Sequence, residues 1–408
     1  MAEISFWKEI TINDLGKVVT GKTPSTFNSA YFGGDIPFVT PTDMNDRRFI
    51  SKTERYLTKQ GADEVKGSQI SAGTVMVSCI GSQMGKVAIA GKACITNQQI
   101  NSIIVSPEYS ELFVYYSLSL REDEIRFIGS GSAVPILNKT DFSNMPIVIP
   151  PLPEQCAIAG ILGALDDKIE VNRRMNATLE SMARAAFQRW FVENPDAAKW
   201  KLSRIGEFAD LDKGVSYKGD FLTDEGMPMI NLGCFLGKGK FEIEKLKIYS
   251  GEYKEHHTVK PGDIVLANTD ITQRREVIGS PAIVPDYPAK EYLFTHHVYA
   301  MRVTDGSPIL RNYMYFTLLQ DEFRERAEGF ATGTTVLALP RDAVLNYEIL
   351  LPPADLLRKF YEQVEPMLQK VQSNIKESRT LARLRDALLP KLMRGEVRVK
   401  EGKYEFLF

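Results

Sequence analysis

The chain has 408 residues, 44% hydrophobic and 25% charged, with a net charge of −2. That is the composition of a soluble globular protein of two or three domains, and bulk charge gives no general attraction for nucleic acid. No run approaches the ~18 apolar residues of a membrane span. The start, M-A-E-I-S-F-W-K-E, lacks the basic and apolar segments of a signal peptide. Cys79, Cys94, Cys156 and Cys234 are too scattered for a disulfide framework or a zinc site. The expectation is a cytoplasmic protein with reduced, buried thiols.

Residues 1–152 carry short β-branched and aromatic runs between Gly, Pro, Asn and Asp clusters, which predicts a mostly β domain. I-P-F-V-T-P-T-D-M from Ile36, A-G-T-V-M-V-S-C-I from Ala72 and T-N-Q-Q-I-N-S-I-I-V from Thr96 are such runs, with one short helix expected from Tyr109. Residues 153–195 read as a long helix. Apolar positions recur at Ile158, Leu162, Leu165, Ile169, Met175, Leu179, Met182, Ala186 and Trp190, in steps of mostly three and four. Roughly 39 helical residues span about 58 Å at 1.5 Å each. One narrow seam on so long a helix calls for a partner helix of similar length.

Residues 196–353 predict a second mostly β domain, and 354–408 a second long helix and a tail. The tail region alone is basic, with 12 Lys and Arg against 8 Asp and Glu over 353–408. The chain is in fact one unit written twice. Pro150-Pro151 returns at Pro352-Pro353, 202 positions later. At that offset Ile158, Leu162, Leu165 and Ile169 meet Phe360, Val364, Met367 and Val371. Leu179, Met182 and Ala186 meet Leu381, Leu384 and Leu388, so the second helix repeats the seam. Ala164 meets Pro366, which is expected to kink or interrupt the second helix. Asn172 meets Asn374; either antiparallel packing brings these two face to face, at a cost in stability but with register fixed, or each simply reaches solvent at a helix edge. The globular halves repeat more loosely, as in Trp7-Lys8 and Trp200-Lys201. A repeat of this size is a duplicated domain rather than a solenoid. The predicted class is α+β: two mostly β domains separated by two long helices that form an antiparallel coiled coil.

Gly16–Thr23 satisfies G-x-x-x-x-G-K-T, but the loop holds Lys17, Val18 and Val19, and Pro24 follows at once. A phosphate cradle needs small residues and an immediate helix. A P-loop nucleotide-binding protein is thus the weakest of the readings. His256-His257 and His296-His297 are adjacent pairs; on one strand their rings would point to opposite faces and could not share a metal. No nucleophile, base and orienter stand at a recognisable spacing.

Polar loops recur instead at equivalent places in the two halves. The first half offers Lys22 and Thr23, Thr40 and Thr42, Ser82, Gln83 and Lys86, Asn97, Gln98 and Gln99, and Ser132 and Lys139. The second half offers Lys213, Tyr217 and Lys218, Asn231, then Asn268, Thr269, Gln273, Arg274 and Arg275, then His296 and His297, and Thr332, Thr334 and Thr335. These are the side chains that read base edges and hold phosphates. A single polar loop is only a loop. Five at matching places predict a shared DNA-binding face. A two-domain protein-interaction scaffold is the other reading of the same pattern.

The stretch P-P-L-P-E-Q-C-A-I-A-G-I-L-G-A-L-D-D-K-I-E-V-N-R-R-M-N-A-T-L-E-S-M-A-R-A-A-F-Q-R-W-F-V resembles the central region of the specificity (S) subunits of type I restriction-modification systems. R-D-A-L-L-P-K-L-M-R-G-E-V-R-V, from Arg385, resembles their C-terminal region. The resemblance implies two target recognition domains, each reading part of a bipartite asymmetric DNA site. It implies a coiled-coil spacer that sets the gap, with Ile158, Leu162, Leu165, Ile169, Asn172, Leu179, Phe360, Val364, Val371, Asn374, Leu381 and Leu388 on its seam. It further implies a non-catalytic chain that docks two methylating M subunits and two ATP-driven R subunits. S-adenosylmethionine, ATP and Mg would then reside on those partners, with no cofactor or metal on this chain.

Overall fold

The computed structural model describes residues 7–44, 47–129, 135–271, 275–333, 336–400 and 403–406. The chain divides into two compact units. The first comprises residues 1–169 with 380–408, and the second residues 170–379. Each unit therefore contains a globular domain and one portion of each long helix. No helix among the described residues is long and apolar enough to cross a membrane.

In the first unit, Val75–Ser78 is an apolar run buried on both faces, as a central strand must be. It lies between Ile100–Val105 and Val87–Ala90 in a five-stranded sheet whose edges are Gly16–Thr20 and Phe49–Ile50. A second sheet of four strands has the order Arg55–Leu57, Phe32–Val39, Cys94–Thr96 and Gln69–Ile70. Two helices, Glu111–Ser119 and Glu122–Ile128, follow the sheets. Phe113, Tyr116, Val75 and Ile103 from the domain share one buried core with Ile158, Leu162 and Leu392 of the long helices.

The second unit repeats this plan with its own residues. Val298–Val303 and Ile264–Ala267 are the inner strands of one sheet, and Leu222–Ile230 and Tyr292–Phe294 are the inner strands of the other. In both units the two strands that lead to the candidate loops pair in parallel: Phe38 with Ile95 and Val39 with Thr96, then Met229 with Leu293 and Ile230 with Phe294. Helices Pro308–Leu318 and Asp321–Phe330 stand where the first unit has its pair. An aromatic cluster ties the domain to the helices: Phe360 meets Phe191 at 4.9 Å, Phe316 at 5.6 Å and Phe187 at 5.8 Å between ring centroids.

The first long helix runs from Leu152 to Phe187 and ends in a π turn, Gln188–Val192. The second runs from Ala354 to Met393. Within each unit the two pair antiparallel. In the first, Glu154 meets Arg398 and Asp166 meets Arg385. In the second, Asn172 meets Glu377 and Asn176 meets Asn374.

Four expectations are corrected here. The second helix is not interrupted at Pro366: it continues through that residue and through Pro390. Proline removes the N–H that would bond the carbonyl of residue 362. Both residues are exposed, so water can serve that carbonyl, while buried Val364 and Val371 hold the helix on either side. Asn172 and Asn374 are both fully buried, yet they do not bond each other. Asn172 Nδ2 donates to Glu377 Oε2 at 2.8 Å and Ser378 Oγ at 3.2 Å. Asn374 Nδ2 donates to Asn176 Oδ1 at 2.8 Å. The helices are offset from the exact match of midpoints. Met175 and Met182 are off the seam and exposed. Ala183, Phe187 and Phe191 fill the core instead, with Ala186 and Trp190 at its margin. Finally, Cys79, Cys94 and Cys234 are buried free thiols, but Cys156 is exposed.

Candidate nucleic-acid interface

The first site is built where the Gly16–Thr20 strand runs over the loop after Cys94–Thr96. A Cβ on Gly21 would stand 1.9 Å from the Asn97 carbonyl oxygen, so only glycine allows the crossing. The Gly21 and Lys22 N–H groups donate to the carbonyls of Ile100 at 3.0 Å and Thr96 at 2.9 Å. Those donors are spent inside the fold, and Gly16–Thr20 is a strand, so the G-x-x-x-x-G-K-T stretch forms no phosphate cradle. The second unit repeats the device at Gly214, whose Cβ would lie 2.1 Å from the Phe294 carbonyl oxygen.

Around this crossing the predicted loops of the first unit converge. Thr23 Oγ1 donates to Gln98 Oε1 at 2.5 Å, joining the first loop to the fourth. Gly81 N donates to Pro135 O at 3.0 Å, joining the third to the fifth. Thr40, Thr42, Ser82, Gln83, Asn97 and Gln99 line one open cavity of about 560 Å³. Its residues are held by bonds to each other. Thr40 Oγ1 donates to Asp43 Oδ2 at 2.8 Å, Asn97 Nδ2 to Gln99 Oε1 at 2.8 Å, and Gln99 N to Asn97 Oδ1 at 3.1 Å. Lys86 faces a neighbouring cavity beside Tyr116, although its Nζ donates to Gln83 Oε1 at 3.2 Å. Lys139 is exposed at the start of the short helix Lys139–Ser143. Glu54 and Arg55 complete the cavity wall and were not among the expected contacts. They begin an ordinary-looking strand, and only the pairing of Arg55–Leu57 with Phe32–Val39 brings them beside Thr40.

In the second unit the corresponding loop carries His296 and His297. These residues form a turn between strands Tyr292–Phe294 and Val298–Val303 rather than lying on one strand. Their rings therefore meet, with centroids 3.9 Å apart at 40°, which corrects the expectation of opposite faces. The Asn268 backbone N–H and Nδ2 donate to the carbonyls of His297 and His296, each at 3.0 Å. Thr269 Oγ1 lies 3.0 Å from His297 Nδ1. Burial lowers the His297 pKa below the usual imidazole range, and His296, Lys213 and Lys247 lower it further. The site thus combines a neutral imidazole with nearby ammonium groups. Lys247 donates to Tyr217 Oη at 2.5 Å and so joins this group of residues, a placement that sequence reasoning missed.

Other expected contacts take different places. Asn231 is 9% exposed and caps the turn Leu232–Cys234, with Nδ2 on the Lys245 carbonyl at 2.5 Å, so its amide is committed to the fold. Lys218 and Thr332 are exposed, and Arg275 reaches the Glu328 carbonyl at 3.3 Å. Ser132, Gln273, Arg274, Thr334 and Thr335 lie outside the described residues. Each unit thus gathers amides, hydroxyls and cations at one crossing of strands.

A family model described as the type I restriction modification DNA specificity domain matches residues 5–181. The MjaIX specificity subunit of a type I restriction enzyme from Methanocaldococcus jannaschii is 28% identical over 420 residues, covering 97% of this chain and 94% of that protein. Residues 5–181 thus match the type I specificity domain, and the chain is similar along nearly its whole length to a type I specificity subunit. Specificity subunits of type I restriction-modification systems are non-catalytic DNA-recognition subunits. The HindI specificity subunit of Haemophilus influenzae is 37% identical over 147 residues, 35% of this chain and 32% of that one. The crystal structure of the S subunit from M. genitalium has the same fold, with a TM-score of 0.61 at 17% identity over 96% of this chain and 97% of the other.

Proposed function

We propose that this chain is a specificity subunit that binds a bipartite, asymmetric duplex site, each unit reading one half. It directs adenine methylation by M subunits and cleavage by R subunits, which bring S-adenosylmethionine, ATP and Mg. The observation that carries the reading is the convergence of polar loops on the same strand crossing in both units, with Gly21 and Gly214 making the same close approach. Asn, Gln and Thr amides and hydroxyls are suited to base edges in the major groove, and lysines to phosphates. The halves differ where contact is expected: Gln98-Gln99 stands in one and His296-His297 in the other. Two unlike half-sites follow. The long helices serve as an antiparallel coiled-coil spacer, and their length sets the gap.

Methylome sequencing of a host carrying the complete system tests this. One split motif is expected. Exchange of residues 1–150 for those of a relative changes one half of it only. Loss of both halves, or no motif at all, refutes the reading.

A further inference from the structure

One buried cluster in the first unit contains none of the expected contact residues. Arg48 precedes the edge strand Phe49–Ile50, and its carbonyl accepts from Ile89 N at 2.7 Å, so its backbone is fixed to the domain sheet. Its side chain is 10% exposed and turns to the first long helix. Arg48 Nη1 donates to the Gly163 carbonyl at 3.3 Å and to Tyr116 Oη at 3.1 Å, and Nη2 donates to Asp167. Tyr116, from the domain helix Glu111–Ser119, donates in turn to Asp166 Oδ2 at 2.5 Å. The second long helix closes the set, with Arg385 Nη1 donating to Asp166 Oδ1 at 2.6 Å. Asp166 is 12% exposed. Four elements thus meet at one carboxylate.

We infer that Arg48, Tyr116, Asp166 and Arg385 are positioning residues: a buried ionic lock holds the first recognition domain at a fixed angle on its helix pair, and so restricts the chain to one gap between half-sites. The inference rests on the DNA-reading role proposed above. A buried ion pair contributes little net stability compared with apolar packing, but its geometry is demanding. The two Nη groups of Arg48 reach three acceptors on two different elements, which together fix its orientation, while its buried Nε has no partner. The apolar core beneath, of Phe113, Ile158 and Leu162, has no such directional demand. The second unit joins its domain to the second long helix differently, through Arg311 and Asn312 on Glu365 at 3.3 and 2.8 Å. At the repeat offset, Leu368 and Gln369 replace Asp166 and Asp167, and Leu368 packs against the apolar core of the second unit.

The test is the methylome of a host carrying the complete system with Arg48→Ala. The expected result is the same two half-sites with a broadened gap: sites one base pair longer or shorter are methylated at about a tenth or more of the cognate level, at least tenfold above wild type. Arg48→Lys keeps the charge but not the fork and broadens the gap less. A single unchanged gap with methylation retained overturns the lock. If Arg48→Ala yields no methylation, Tyr116→Phe, which removes one bridging hydroxyl, decides by the same gap distribution, and an unchanged gap there also overturns it. A wild-type host with no split motif refutes the DNA-reading role itself and the lock with it, whereas a wild-type motif with unaltered variants sinks the lock alone.

Discussion

Replacing both buried asparagines of the helix pair by leucine should stabilise the chain while loosening its register. Asn172 and Asn374 are each fully buried, and the carbonyl oxygen of each has no hydrogen-bond partner. A buried orphan acceptor costs about 1–3 kcal/mol, and a buried leucine side chain contributes about 1.5–3 kcal/mol. Against this stand the bonds that the two Nδ2 groups make. The neutral ones, to Ser378 and Asn176, contribute about 1 kcal/mol each, and the one to the Glu377 carboxylate about 1.5–3 kcal/mol. Glu377, Ser378 and Asn176 are partly exposed and can turn to water. The balance favours the double variant by about 4 kcal/mol, which for units of this size raises Tm by roughly 8–16 °C. Thermal melting of the full chain, alone and with its M subunits, measures the first effect. Disulfide trapping between cysteines placed along the two helices measures the second, with one pairing expected in the wild type and several in the variant. A Tm lowered by several degrees would refute the reasoning, because it would mean that the polar pairs stabilise more than they cost. A single unchanged pairing would refute the register role.

Gly21→Ala forces a Cβ against the Asn97 carbonyl, where no side chain can give way. It should cost at least the ~1–3 kcal/mol typical of overpacking and weaken binding to the first half-site, seen as lowered Tm and a raised Kd for site DNA. Lys22→Ala should leave Tm unchanged but weaken DNA binding, and the slope of log Kd against log salt concentration should become shallower by about one. His297 has a folded pKa held below its unfolded value by burial, so the unfolded chain binds its proton first as pH falls. Stability contributed by the neutral ring is present above pH ~6.5 and is lost as pH drops from there toward the folded value, at no more than about 1.4 kcal/mol per pH unit. His297→Gln should remove that slope in urea melts run from pH 7.5 to 5.5. An identical slope in the variant would show that His297 is not its source.

The long helices and the duplication were legible because each is a periodic or repeated signal within the chain. The seam of Ile158, Leu162 and Leu165 and its image at Phe360 and Val364 needed only spacing and an offset. What escaped was set by tertiary contact. A one-residue change in which face is buried separates Met182 from Ala183, and apolarity alone ranks the methionine higher. Ala183 is fully buried in the same core as the aromatic cluster of Phe187, Phe191, Tyr313, Phe316 and Phe360. Glu54 and Arg55 are likewise invisible as a site until a neighbouring strand is paired. Asn231 shows the reverse error. Its polarity marks a contact, but its position before Leu232-Gly233 makes it a cap.

The split between legible and illegible features follows the division of labour in the molecule. Spacing signals specify where the recognition domains and helices are, because burying a repeated apolar seam is a property of the whole chain. The angle at which the first domain meets its helices depends on few atoms: one guanidinium, one hydroxyl and one carboxylate drawn from positions 48, 116 and 166. No local pattern announces such a set, since each member taken alone is an ordinary polar residue. Directional bonds of this kind can change without disturbing the apolar seam, and the second unit shows it: Leu368 stands at the position of Asp166 while Val364 and Phe360 keep the seam. A spacer specified by packing and an angle specified by a separable polar lock would let gap tolerance vary without redesign of either reader.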